Sequence, residues 1–486
     1  MESNSQRKLH AAAGEFEIIP ELETLTDVRH GGRAVEVVGG LKTVVTLLEE
    51  GSERMCLVTT HFGPSFPVNL SKLIRESISQ ELGIAVSRVL IFTSHNHTSV
   101  ALAANGVLAY NAYKSGAPEA ELLPVGEEFL KRLLETARSL AGRLEPVSVW
   151  WALGEESRIS YNRKGRREDG STYLMREEDR ALLGKDFVGD VETDAPVIVL
   201  KNEEGKAVVG FLQFTAHPVT AFHPENTVIF GEWSQLVCER VGAEIGAPVG
   251  FLQGCAADVN SKEMFTGGPG RSRDFAGMLG DSYLAAMSSL RRSERDGFDV
   301  HLEKVGVPLA SLPSGEELRT ELEEIDSFIE RAKGGDEDTL TCAGQNFAVA
   351  LSPSYRAWLA GLIRPWTAWA LKFHEEDAAG SLAKVQEMEI ATIRIGDVGI
   401  VGLPCEPFQN IGRQIKKLSS LPLTIPCGYM NVNHGYVPDS KNTGDNEYMS
   451  AHHRYTKFRP PFRNPAGDVL ADAGAEKLNE FWKNGH

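Results

Sequence analysis

The chain has 486 residues, 42% of them hydrophobic and 24% charged, which is the balance of a soluble globular protein and exceeds the usual size of one compact domain. A net charge of −17 argues against a nucleic-acid partner, because phosphate-backbone binding concentrates Lys and Arg. The N-terminal segment MESNSQRKLHAAAG has no apolar signal-peptide core, and no stretch is long and apolar enough to span a bilayer, so a cytoplasmic protein without a membrane span is expected.

Along the chain, apolar β-rich runs occur at 55–61, 88–95, 146–154, 195–200, 207–217 and 247–254, several of them apolar on both faces as in a covered sheet. Helical periodicity lies between them, at 124–143 and 272–290. The alternation predicts an α/β fold with a mixed sheet. From 313 to 380 the texture turns to charged helix. Ser314 and Glu317 form a capping-box pattern that opens an acidic helix ending near the glycines at 334–335. A second helix carries Trp358, Leu362, Trp366, Trp369 and Phe373, a stripe expected to pack onto the sheet, with Pro365 kinking it. This block is read as a helical insertion. Strands resume at 388–404, with a turn at Gly396-Asp397, and at 423–438. The six cysteines show no CxxC pair and sit in apolar segments, as buried free thiols do.

The chemistry gathers at strand ends. Ser94-His95-Asn96-His97-Thr98 ends one strand, where residues i and i+2 share a face and bring two imidazoles together. Two readings stay open there, a metal site or two satisfied loop histidines. Thr215-Ala216-His217-Pro218 ends a second strand, and Gly402-Leu403-Pro404-Cys405-Glu406-Pro407 a third. A carboxylate after so apolar a run is paired, metal-bound or solvated at the sheet edge. His61 also ends a strand, with a structural role as its alternative. His452 and His453 are read as loop residues that shape a pocket, and Asp194 and Glu232 as loop-positioning residues.

These strand ends occur in the order found in neutral ceramidases and their bacterial relatives, and the chain resembles that superfamily from about residue 9 to about residue 470. The resemblance implies a neutral-ceramidase-type catalytic domain over 9–470, containing the insertion at 313–380, followed by a helical tail at 471–486. The family's THTH, AHP, GE and N-x-x-x-x-Y segments match here at His95, His217, Glu406 and Tyr436, which implies one zinc ion per chain on those four residues. It further implies that His97, Arg163 and Tyr448 line the reaction centre. GFLQGCAADVN is similar to the family's GDVSPN-type stretch, which places Asp258 and Asn260 on the substrate side; the resemblance does not assign His61, which is counted with them from its strand-end position alone. Asn260 stands where the family has serine, and the chain ends at His486 without the C-terminal β-sandwich expected of ceramidases. The expected function is therefore zinc-dependent hydrolysis of an amide or ester bond in another small-molecule substrate by metal-activated water. β-Elimination on an acidic sugar or related hydroxyacid is the first alternative, and a non-catalytic relative the second. Oligomeric state is left open.

Overall fold

Two sheets stack face to face because each presents an apolar inner surface to the other. The computed structural model describes residues 8–22, 34–106, 118–184, 186–455 and 458–484, so the leading segment at 1–7 lies outside the described residues. The first sheet comprises β1 (His10–Ile18), β2 (Leu41–Glu50), β3 (Glu53–Thr60), β4 (Val89–Thr93), β5 (Glu145–Glu155), β6 (Asp194–Asn202), β7 (Ala207–Phe214) and β8 (Val249–Gln253). Their order is β8-β7-β6-β5-β1-β2-β3-β4, with Arg291–Arg292 pairing beside β5. The second sheet runs β9 (Phe298–Pro308), β10 (Val385–Ile395), β11 (Val398–Gly402) and β12 (Leu423–Cys427).

Nine α-helices lie among the described residues: α1 (Val68–Leu82), α2 (Pro124–Leu140), α3 (Glu177–Leu182), α4 (Glu232–Ile245), α5 (Gly268–Met287), α6 (Gly315–Lys333), α7 (Pro353–Glu375), α8 (Gln409–Leu418) and α9 (Asp468–Asn484). Between the sheets, Ala11, Ala13, Leu48 and Phe211 meet Ile393, Ile400 and Ile425. Outside the first sheet, α1 and α2 contribute Ile74, Phe129 and Leu133, while α4 and α5 contribute Trp233, Val237, Phe275 and Leu279. Outside the second, α8 and α9 bury Ile411, Ile415, Leu470 and Leu478. Each large side chain so buried is worth about 1.5–3 kcal/mol relative to exposure. The result is a helix, sheet, sheet, helix stack.

The expected α/β class and mixed sheet hold, resolved into two sheets. Strands β1 and β2 were not among the apolar runs. β1 opens with Ala11-Ala12-Ala13-Gly14 because α2 lies close against it: a Cβ at Gly14 would come 2.9 Å from Thr136 Cγ2. Small residues there meet a packing need that hydropathy does not register.

Within these two sheets three pairs of neighbouring strands are parallel: β3 with β4, β7 with β8, and β11 with β12. The edge strands β4 and β8 also pack against one another, so the first sheet curls until its two edges meet. Parallel pairs leave their carboxyl ends at one rim, where α/β proteins collect ligands.

The 313–380 segment runs between β9 and β10 and carries α6 and α7. Ser314 accepts from Glu317 N–H while the Glu317 carboxylate accepts from Ser314 N–H, and α6 ends at Lys333 before Gly334, as the capping pattern predicts. Helix α7 runs through Pro365. Its aromatic stripe does not pack onto a sheet. Trp366 lies 4.6 Å from the His453 ring and donates its indole N–H to Arg459 O, so the stripe meets the chain after residue 451 instead. The Gly396-Asp397 turn joins β10 to β11, and all six cysteines are free and buried.

Glu232 begins α4 with a left-handed φ of 57° and is fully buried. Its carboxyl accepts from Ala221 N–H and from Ser272 Oγ of α5, both at 2.6 Å, which ties the loop after β7 to two helices. Burial pushes this carboxyl up to about 7. With the folded value above the unfolded one, the favourable contribution is complete below pH 4.5 and is lost as pH rises through 7. Glu232→Gln removes the charge while its amide oxygen still accepts from Ala221 N–H and its amide N–H can donate to Ser272 Oγ, so it should gain on the natural protein by up to about 3 kcal/mol between pH 5 and pH 8. Urea unfolding at both pH values measures this, and an equal difference at both would refute it.

Candidate metal centre

The carboxyl ends of four strands supply the centre. His95 and His97 follow β4, His217 follows β7, Glu406 follows β11, and Tyr429 and Tyr436 follow β12. His95 lies past the strand rather than on it, with a left-handed φ of 61°, so the strand-face argument for HxH does not apply. The two imidazoles still converge, with their Nε2 atoms 3.2 Å apart, because this backbone turn redirects His95. A β-branched or bulky residue would resist that conformation.

The Asn and Tyr residues after β12 hold the two sheets in register at this point. Asn431 accepts from Ile91 N–H through Oδ1 (2.9 Å) and donates its own N–H to Ile91 O (2.7 Å). Gly428 N–H donates to Gln253 O at the end of β8. Both sheets therefore contribute to one rim.

Proton inventory shows what the centre is built for. His95 Nδ1 donates to Pro64 O at 2.7 Å, and His217 Nδ1 donates to Ala256 O at 2.8 Å. A carbonyl only accepts, so each ring carries a proton on Nδ1, and the neutral ring turns an Nε2 lone pair inward. Burial, reinforced by Arg163, pushes His217 down to about 3, which keeps it neutral. Glu406 Oε2 faces those two lone pairs at 3.2 Å from His95 Nε2 and 3.4 Å from His217 Nε2, and has no hydrogen-bond donor. Asn433 Nδ2 donates to the other carboxylate oxygen at 2.8 Å, which orients Oε2 toward the rings. Glu406 is 6% exposed, which rules out the solvated-turn reading. Buried acceptors facing one another repel unless a cation lies among them, and two imidazoles with a carboxylate are a donor set suited to a transition metal. His95, His97 and His217 by themselves form a group whose ligand atoms lie within 4.8 Å of one another.

Around this core, Tyr436 Oη lies 3.4 Å from His217 Nε2 and accepts from Arg163 Nη2 at 2.9 Å. Arg163 is held by two further bonds to Ala257 O. Burial keeps the Tyr436 phenol above its ordinary range although Arg163 opposes it. Tyr448 stands 5.5 Å from Tyr436, ring to ring, and His452 4.4 Å.

The structure thus brings together His95, His97, His217, Glu406, Tyr436, Arg163 and Tyr448. Of three other expected residues, Asp258 and His61 lie elsewhere and Asn260 adjoins the centre through its backbone alone. The Asp258 carboxylate accepts from Gln409 N–H (2.8 Å) and Gln409 Nε2 (3.1 Å), capping the start of α8. His61 faces a separate cavity of about 360 Å³ between the first sheet and α4, lined also by Lys42, Thr59 and Glu239. Asn260 pairs with His217 in a parallel bridge but points its amide at Met264 Sδ. Asp194 pairs with Lys416 of α8.

Sequence reading missed Tyr429 and Asn433, whereas His452, read as a loop residue that shapes a pocket, lies beside Tyr436. Tyr429 stacks on His95 with ring centroids 4.0 Å apart. The available signal was position, since Tyr429 also follows a strand end.

No protein-family model and no curated protein matches the chain. Among solved structures, the neutral ceramidase of Pseudomonas aeruginosa superposes with a TM-score of 0.61 at 12% identity, covering 98% of this chain and 75% of that one. A ceramidase complexed with C2 gives 0.60 at 12% identity, covering 97% and 74%. The chain has the neutral ceramidase fold. The ceramidase-type fold accounts for the order of strand ends read from the sequence, and at this identity the likeness concerns architecture. Among the described residues, no helix is long and apolar enough to cross a membrane.

The Tyr429 hydroxyl is buried without a hydrogen-bond partner. Such a group costs about 1–3 kcal/mol, so Tyr429→Phe, which keeps the ring on His95, should leave thermal stability unchanged or raise it by about 1 kcal/mol. A loss of that size would show that the hydroxyl is satisfied.

Proposed function

We propose that the chain is a zinc-dependent hydrolase of an amide or ester bond in a small organic substrate, with His95, His217, Glu406 and Tyr436 as ligands. One observation carries the reading: Glu406 Oε2 and two inward Nε2 lone pairs face one another at 3.2 and 3.4 Å with no donor to the carboxylate oxygen. His97 is the partly exposed member of the histidine group and stands on the approach side, outside the ligand set.

Zinc, when bound, supplies a water acidified to a pKa of roughly 7 and a Lewis acid for a carbonyl. The protein supplies the rest. Arg163, fixed by Ala257 O, places a permanent positive charge beside Tyr436 and the centre, where negative charge builds up on a carbonyl oxygen under attack. Tyr448 and His97 border the same space with protons to give, and either can protonate the leaving nitrogen or oxygen. No serine is needed for this chemistry, which agrees with Asn260 at the position of the family's serine.

Purified protein should carry one zinc per chain by elemental analysis, and His217→Ala should lose metal and activity together while remaining folded. Full occupancy in that variant refutes the ligand assignment. His97→Ala should keep its zinc and lose turnover. Asn433→Ala, which frees the Glu406 carboxylate to rotate, should weaken zinc binding by about 10–100-fold in a competition titration. Mass spectrometry on N-acyl, ester and acidic-sugar substrates tests the reaction. A gain of one water across the products supports hydrolysis, and an unsaturated product of unchanged summed mass refutes it.

A further inference from the structure

Two guanidiniums stand at the base of one hairpin beside the centre. The strands Lys164–Arg166 and Thr172–Leu174 pair antiparallel, and Met175 N–H donates to Arg163 O at 2.6 Å, so the hairpin closes with Arg163 and Arg176 at its two ends. Leu174 packs in one buried cluster with Tyr436 and Tyr448, which brings the Arg176 end close to the centre. Arg176 is partly exposed along the wall of a cavity of about 470 Å³ that it shares with Asn260, the residue bridged to His217.

Both cations lack a counter-ion. Among the described residues, Arg163 meets Ala257 O, the Tyr436 hydroxyl and His217, and Arg176 donates through Nε (3.2 Å) and Nη2 (2.6 Å) to a single backbone oxygen, Asn346 O. Lys164, next to Arg163, shows the ordinary arrangement, with Asp445 and Glu447 paired to it at 2.7 and 3.0 Å. The acids that follow Arg176 are engaged elsewhere. Glu177 accepts from Arg180, Glu178 from Val349 N–H, and Asp179 from the backbone N–H of Arg176. A cation withdrawn from water without an anion is costly until one arrives.

The Arg176 guanidinium is set to receive one. Asn346 is held by reciprocal bonds with Leu174, accepting from its N–H at 3.1 Å and donating to its O at 2.5 Å, so the carbonyl that orients Arg176 is itself fixed. That carbonyl occupies the Nε–Nη2 edge. The end formed by Nη1 and Nη2 has donors to spare, and their spacing matches the two oxygens of a carboxylate.

We propose that Arg176, resting on the hydrolase reading above, recognises a carboxylate that the substrate carries near its scissile bond, so that the chain acts on acidic amides or esters of the N-acyl amino acid class. Arg176 is here a specificity residue, distinct from Arg163 at the reacting carbonyl. The 313–380 segment takes part in recognition, because Asn346 within it orients the guanidinium.

Calorimetric titration of the protein, loaded with one zinc per chain, tests the pairing. The probes are β-benzoylpropionate, in which a methylene replaces the scissile nitrogen, and its uncharged methyl-ketone analogue. The acid should bind at least about tenfold more tightly than the ketone. Arg176→Met, which keeps the bulk of the side chain without its charge, should bring the two ligands within about twofold, and Arg176→Gln serves if that variant does not fold. Arg176→Lys keeps the charge and loses the fork, so about threefold of the preference should survive. The role is overturned if the natural protein binds both ligands alike, or if the methionine or glutamine variant keeps the full preference, which would put the carboxylate on the metal. Product analysis separates the two readings. Cleavage of N-methylbenzamide as readily as N-benzoylglycine refutes carboxylate recognition alone, whereas the expected binding pattern without any water-gain product from N-benzoylglycine refutes the hydrolase reading alone.

Discussion

Everything at the centre depends on two backbone carbonyls. Pro64 O and Ala256 O take the Nδ1 protons of His95 and His217, and by doing so fix which nitrogen of each ring faces Glu406. A ring free to choose its tautomer would turn an N–H toward the carboxylate and form an ordinary hydrogen bond. Fixed as they are, the rings present lone pairs to a negative oxygen, an arrangement that a protein interior tolerates only when a cation completes it. Asn433, Arg163 and Tyr436 then have definite tasks around that core.

The two carbonyls belong to loops at opposite edges of the first sheet, and they come together because that sheet curls until β4 and β8 touch. Glu406 and Tyr436 arrive from the second sheet, docked by Gly428 and Asn431 onto the ends of β8 and β4. The apolar filling between the sheets sets this distance. Ala11 and Ala13 on one side and Ile393 and Ile400 on the other are thus as much part of the site's geometry as the ligands.

What the sequence revealed follows from what its patterns encode. Apolar runs mark strands, and a histidine or glutamate straight after such a run marks a rim position, so His95, His217 and Glu406 were legible. The route by which His95 and His97 converge was not, because a left-handed backbone at a histidine leaves no compositional trace. Asp258 illustrates the opposite error: likeness to the family's GDVSPN-type stretch put it on the substrate side, yet it caps α8, and only the fold could show that Gln409 lies within 2.8 Å of it. His61 was misplaced for a related reason, since a strand end says which rim a residue reaches but not which cavity it faces.

The clasp between Asn431 and Ile91 joins residues 340 positions apart in the chain. Closing so long a loop costs entropy before any local contact repays it, so the rim forms only once both sheets have taken shape and docked. The centre is then a late product of folding, and a cation held there would act as a latch, slowing the parting of the two halves and lengthening the life of the native state without hastening its formation.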